Sequence, residues 1–203
     1  MNRTRVLAIL APVLLFLTAC GVNSIPTAEE NAKAKWADVQ ASFQRRANLI
    51  PNLVETTRAA AASEQAILTG VTEARANATR ITVTPDQLSD PAAMQRFSEA
   101  QSRLSAAIIP LQRLQEAYPD LQSQGNFATL MTQLEGTENR INIAIRDYNE
   151  AVRAYNTEIR TFPSVIGARV IYGSSPLVPY QAVTPGAEVA PSVNFGGPAG
   201  NTN

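Results

Sequence analysis

The sequence predicts an all-α fold: an antiparallel up-and-down bundle of three to four long helices. Three observations predict it. Apolar residues recur at alternating spacings of three and four through most of residues 27–172, the period of a helix with one buried face. No alternating apolar and polar run of strand length occurs before residue 165. The stretches between the stripes are short, and long amphipathic helices joined by short connections pack antiparallel. At 203 residues the chain has the length of one domain. Its 45% hydrophobic and 17% charged residues supply the apolar surface for a core.

Residues 1–19 read as a signal peptide. Asn2-Arg3-Thr4-Arg5 is a short positive region, and Val6 to Leu17 is an apolar run of about a dozen residues, the length of a signal-peptide core and too short to span a bilayer. Leu17-Thr18-Ala19-Cys20 sets small residues before the single cysteine. This resembles a bacterial lipobox, which implies cleavage before Cys20 and its lipidation. Several acyl chains on one residue meet the two-signal requirement for stable anchoring. The plainer alternative is an uncleaved signal anchor with an incidental cysteine. Gly21 follows Cys20, and by resemblance to Gram-negative lipoprotein sorting this favours the outer membrane if the source is Gram-negative. Residues 20–26 are then a lipidated N-terminus and tether.

The bundle occupies 27–172. Thr27-Ala28-Glu29-Glu30 fits a capping box. Trp36, Val39, Phe43, Ala47, Ile50 and Val54 follow as an apolar stripe, continuing less cleanly through Leu68 and Val71. This predicts a first helix over 27–82, either bent at Pro51 or broken into two there. Asp90-Pro91 restarts the chain with an N-cap and a first-turn proline. Met94, Phe97, Leu104, Ile108, Leu111 and Leu114 form the second stripe, with a kink expected at Pro110 and an end at Tyr118-Pro119. The third helix, capped by Asn126, has the most regular stripe: Phe127, Leu130, Leu134, Thr137, Ile141, Ile145, Tyr148, Val152, Tyr155, Ile159 and Phe162. That is a heptad-like, coiled-coil repeat held for about five heptads and stopped by Pro163. Val165 to Tyr172 reads as a last helical turn or an extended closing segment. Residues 173–203 are rich in Gly, Pro, Ser and Asn, with Glu188 their single charge, and predict an irregular or disordered tail.

Composition narrows function by exclusion. The chain has no histidine, which removes Ser-His-Asp and Cys-His hydrolases, His-ligated zinc or haem, and imidazole proton shuttles. One cysteine removes an internal disulfide and a cysteine metal cage. Lys+Arg and Asp+Glu are 17 each, so there is no basic surplus to neutralise phosphates and no nucleic-acid partner is expected. Loss of Arg3 and Arg5 with the leader leaves a slightly acidic domain. Such a domain has no electrostatic reason to lie flat on anionic lipid and is expected to project from the membrane.

Beside the third stripe runs a polar line: Glu135, Glu138, Asn142, Asn149, Arg153 and Asn156. Asparagine is a poor helix former compared with Glu, Lys or Gln, so asparagines flanking a core stripe suggest half-buried hydrogen bonding. They either fix helix register, as a polar core position does in a coiled coil, or line a groove for a peptide or glycan. A carboxylate metal site from Glu135 and Glu138 is the sharpest alternative, weakened because di-iron bundles need Glu-x-x-His. On the first helix, Arg46 lies beside the stripe with Asn48 and Asn52. It is placed to pair with Glu135 or Glu138, or to hold an anion.

Three blocks together resemble the LemA family. They are Arg45-Arg46-Ala47-Asn48-Leu49-Ile50-Pro51-Asn52-Leu53-Val54-Glu55-Thr56; Tyr118-Pro119-Asp120-Leu121 with Asn126-Phe127; and Leu134-Glu135-Gly136-Thr137-Glu138-Asn139-Arg140-Ile141, continuing through Arg146-Asp147-Tyr148-Asn149-Glu150-Ala151-Val152 and Tyr155-Asn156 to Phe162-Pro163. The resemblance covers about residues 27–172. It implies an extracytoplasmic bundle of about four helices, tethered at its N-terminus, in a family with no established enzymatic activity or cofactor. The lipobox replaces the family's usual membrane span, and Val178-Pro179-Tyr180 matches its aromatic closing motif loosely. The family motifs fall on Arg46, Asn48, Asn52, Glu135, Glu138, Asn139, Asn142, Tyr148, Asn149 and Asn156. The functional expectation is a non-enzymatic, lipid-anchored envelope protein facing the periplasm or extracytoplasmic space. It would bind an unidentified envelope protein or assemble with itself. A structural spacer is the alternative, and a small-ligand or metal carrier the third.

Overall fold

The computed structural model describes residues 23–61, 63–118 and 125–182. The signal peptide, Cys20 and residues 183–203 lie outside the described residues. The described chain is all-helical: α1 (Ser24–Ala60), α2 (Gln65–Arg80), a single 3₁₀ turn (Pro85–Gln87), α3 (Pro91–Ala117), α4 (Gly125–Glu158) and a four-residue α5 (Ser164–Gly167) that runs into a π-helical turn (Ala168–Tyr172). The antiparallel helical bundle expected from the stripes is present.

The spine is the pair α1 and α4, packed antiparallel along their whole length. Three contacts fix the register from one end to the other: Ser24 Oγ donates to Glu158, Lys35 faces Asp147 at 3.9 Å, and Arg46 Nη1 meets Glu138 at 2.8 Å. At 37 residues α1 is about 55 Å long. The shorter α2 and α3 form a second antiparallel pair against it. Two apolar cores result. The distal core is built from all four long helices, with Ile50, Leu53, Leu68, Val71, Leu104, Leu111, Phe127 and Leu134. The proximal core, nearer the chain's N-terminus, contains Ile25, Trp36, Phe43, Phe97, Ile141, Tyr148 and Tyr155. Here α2 contributes nothing. Its place is taken by Val83 and Leu88 of the α2–α3 connection and by Leu177 and Tyr180 of the C-terminal segment.

Several local expectations are corrected. Helix α1 starts at Ser24, not at a Thr27 cap. Pro26 sits in the first turn, where its missing N–H has no partner to lose, and the Thr27 hydroxyl bonds back to the Asn23 carbonyl at 2.8 Å. The 27–82 stretch is two helices, and the break falls after Ala60, not at Pro51. Pro51 stays inside α1 because a neighbour supplies what it removes. Proline frees the carbonyl four residues earlier, and Arg75 Nε of α2 donates to that Ala47 oxygen at 2.7 Å. Asp90 caps α3 as expected, accepting from Ala92 N at 2.9 Å. Helix α4 begins at Gly125, so Asn126 is inside it, and it ends at Glu158, before Pro163. Phe162 therefore falls outside the stripe and is 77% exposed, whereas the stripe from Phe127 to Ile159 faces the core.

Candidate functional site

The polar line on α4 divides into residues that the bundle uses and residues left to solvent. Asn149 and Asn156 are half-buried, one heptad apart and each next to a buried tyrosine. A side-chain amide sets an N–H donor beside a C=O acceptor, the complement of one residue's backbone C=O and N–H. Each of these asparagines spends both on one residue of the C-terminal segment. Asn156 Nδ2 donates to Leu177 O at 2.8 Å while Leu177 N donates to Asn156 Oδ1 at 2.9 Å. Asn149 Nδ2 donates to Tyr180 O at 3.0 Å while Tyr180 N donates to Asn149 Oδ1 at 2.8 Å.

The spacings explain why the pairing works. Seven helical residues rise about 10.5 Å, and three residues of nearly extended chain reach about 10 Å. Residues three apart share a side in a polyproline II helix, not in a β-strand. Pro176 and Pro179 impose that period of three, with Leu177 and Tyr180 each following a proline. The segment thus runs antiparallel to α4 as a strap. Between its two clamps the Tyr148 hydroxyl donates to Val178 O at 2.8 Å, and Val178 N donates to Leu88 O at 2.8 Å. Ser98 Oγ donates to Gln181 O. Every backbone N–H from Leu177 to Tyr180 therefore has a bundle acceptor, since Pro179 has none to offer.

Side chains fill the groove beneath. Leu177 and Tyr180 are buried. The Tyr180 ring packs 5.8 Å from Phe43 and 6.3 Å from Phe97, and Trp36 closes the aromatic cluster against Phe97 and Tyr148. Burial pushes the Tyr148 and Tyr180 phenols above their usual range. The reversal into the strap is made at Gly173, whose φ of 58° is the left-handed conformation that glycine accepts without strain. The 173–182 part of the expected irregular tail thus lacks regular secondary structure and is firmly bound.

Between the two cores lies a polar layer. Arg46 is 1% exposed. It donates to Glu138 and Ser105 at 2.8 Å and to the side chain of Gln101 at 2.9 Å, and its guanidinium lies 5.1 Å from the Phe43 ring. Of the two pairing partners expected for Arg46, Glu138 is the one found; Glu135 is exposed. Asn48, Asn52, Asn139 and Asn142 are exposed as well. The side chain of Asn48 accepts from Gln44 of its own helix. Among the described residues no group of three or more metal-capable side chains comes together. The cleft of about 300 Å³ between α1, α2 and α3, lined by residues such as Gln40, Gln44, Thr79 and Gln101, has no titratable side chain in its wall. Among the described residues no helix is long and apolar enough to cross a membrane.

The sequence assigned no role to Leu177, Tyr180, Ser98, Gln101 or Arg75, although Tyr180 stands in the loosely matching Val178-Pro179-Tyr180 motif. The Pro176-x-x-Pro179 period in the tail, with an apolar residue after each proline, was the signal for the first two. Comparison with curated proteins finds no match. The LemA family model matches residues 35–195, from the proximal half of α1 through the whole strap. On that match, and on the helical bundle that carries it, the chain belongs to the LemA family.

Proposed function

We propose that this chain is a non-enzymatic, lipid-anchored envelope protein whose bundle acts as a protein-interaction or self-assembly module. One observation carries the reading: Asn149 and Asn156 form a two-point clamp that holds an extended backbone over two apolar pockets. Backbone pairing with pockets for alternate side chains is how proteins take up extended peptides, and proline-rich segments lose little entropy on docking in this way. In this chain the clamp holds its own strap. The ligand class is therefore an extended Pro-x-x-Pro segment with an apolar residue after each proline, supplied by the chain itself, by a second copy through strap exchange, or by an envelope protein. The lipobox-like sequence supports tethering at Cys20, facing the periplasm or extracytoplasmic space.

The clamp is tested in the full chain carrying Leu177→Ser and Tyr180→Ser, whose own strap no longer fills the pockets. A peptide of residues 174–182 is expected to bind it saturably. Binding is expected to vanish when the peptide carries the same two changes, or when the protein also carries Asn149→Ala and Asn156→Ala. An intact bundle that fails to bind the peptide overturns the proposal. The spacer reading rests on a different observation, the continuous 37-residue α1 packed along all of α4. It predicts that no segment in trans ever occupies the groove.

A further inference from the structure

Five of the seven large apolar side chains exposed among the described residues fall within eleven residues of chain: Phe162, Ile166, Val170, Ile171 and Tyr172. Phe162 is 77% and Val170 79% exposed. Ile109 and Ile143 are scattered singly elsewhere, which is ordinary for a soluble surface. A cluster of this kind marks a contact surface.

Its place in the fold says what it meets. Glu158 accepts from both Ser24 and Ser164, each at 2.5 Å. That ties the 162–172 segment to the first residue of α1, at the end of the bundle where the chain arrives from Cys20. Three residues, Gly21, Val22 and Asn23, lie between Cys20 and Ser24, and the four steps of extended chain from one to the other reach about 14 Å at most. Whatever membrane holds Cys20, or the apolar run before it, therefore lies within about one short tether of this end. The charge pattern agrees: Arg160 and Arg169 are the charged residues of segment 159–172 and both are basic, while the one carboxylate beside them, Glu158, is engaged by the Ser24 and Ser164 hydroxyls. The nearest acidic pair on α1, Glu29 and Glu30, is bridged by Lys33 at 2.9 and 2.8 Å. Apolar residues flanked by arginines are the composition of an interfacial membrane contact.

We infer that the bundle end formed by residues 162–172 seats in the surface of an anionic lipid bilayer as a second membrane contact beside the anchor. The α1–α4 spine then stands upright, with the strap groove held away from the lipid. This inference rests on reading the N-terminus as a membrane anchor.

The test uses the full chain as the cell matures it, reconstituted in phosphatidylethanolamine and phosphatidylglycerol vesicles whose acyl chains are brominated near the headgroup. Phe162→Trp and Val170→Trp are made singly, with buried Trp36 as an internal reference; both sites are exposed, so the thermal midpoint should match the parent. Emission of each added tryptophan is expected to fall about twofold or more on brominated lipid, with the parent's Trp36 emission unchanged. Added tryptophans as insensitive as Trp36 overturn the inference. Mass spectrometry of the N-terminal peptide separates this outcome from the anchor reading. Acylated Cys20 without quenching rejects the seated end and keeps the anchor. Quenching without acylation keeps the seated end and rejects the lipidation.

Discussion

Asparagine is an unusual investment on a helix, and the two that α4 half-buries return it as peptide-like pairing. Replacing Asn149 by Asp keeps the shape but exchanges the donor for a second oxygen facing Tyr180 O. Loss of a half-buried pairing of this kind is expected to cost about 1–3 kcal/mol. Amide hydrogen exchange should show it first at Tyr180 N–H, with the α1–α4 core still protected. The Arg46 layer makes a directional prediction. Glu138→Ala leaves a buried guanidinium without its counter-charge. Arg46→Met leaves a carboxylate that is 42% exposed and already in water. Glu138→Ala is therefore expected to destabilise more, by about 2 kcal/mol after discounting the usual 3–5 for solvent access, as read by urea unfolding of both variants. At this scale the sequence announced that some asparagines were half-buried, because propensity disfavours them there. It did not announce which ones. Asn142 and Asn149 stand in the same line, yet only Asn149 is level with the strap, and the strap's docking is a long-range fact with no trace in local periodicity.

At the scale of elements, the stripes were legible because burial of one face imposes the helical period on the sequence. The break after Ala60 was not. Ala59 to Ala62 is a run of strong helix formers, so propensity gives no stop, while Pro51 advertises a break that Arg75 prevents. Arg75→Ala is expected to orphan the buried Ala47 carbonyl and to cost about 1–3 kcal/mol, measurable by chemical unfolding. The stripe itself is graded. Ile141 is fully in the core and Ile145 only partly. Ile141→Ala is thus expected to cost about 2–5 kcal/mol through the cavity it leaves, with Ile145→Ala below that range. The strap was illegible as an element because an extended Pro-x-x-Pro segment makes no hydrogen bonds of its own and has a loop's composition. What orders it is the bundle.

At the scale of the whole molecule, the two ends of the pH range report on two places: the bundle end at Glu158 and the strap at Tyr148. The hydroxyls of Ser164 and then Ser24 hold the Glu158 carboxyl below its ordinary range. A depressed folded value gives stability that is present above the ordinary carboxylate value and lost as pH falls below about 4. Thermal melts of Glu158→Gln should therefore show a smaller loss of stability in acid than those of the parent. Burial raises Tyr148. That stability is complete below the ordinary phenol value of about 10 and is lost as pH rises beyond it. Tyr148→Phe should flatten the alkaline fall while weakening the hold on Val178.

The proposed interaction role predicts that another chain's segment reaches the groove in the cell, and photo-crosslinking from Asn142, just past the strap on the same polar line of α4, with mass spectrometry of the products tests this. Asn142 is exposed on α4, one heptad before Asn149. Crosslinks to a second copy or to a distinct envelope protein are expected, and they should disappear when Asn149 and Asn156 are both replaced by alanine in a folded protein. Crosslinks confined to the chain's own helices and strap would contradict the interaction role and leave the asparagine pair as internal glue.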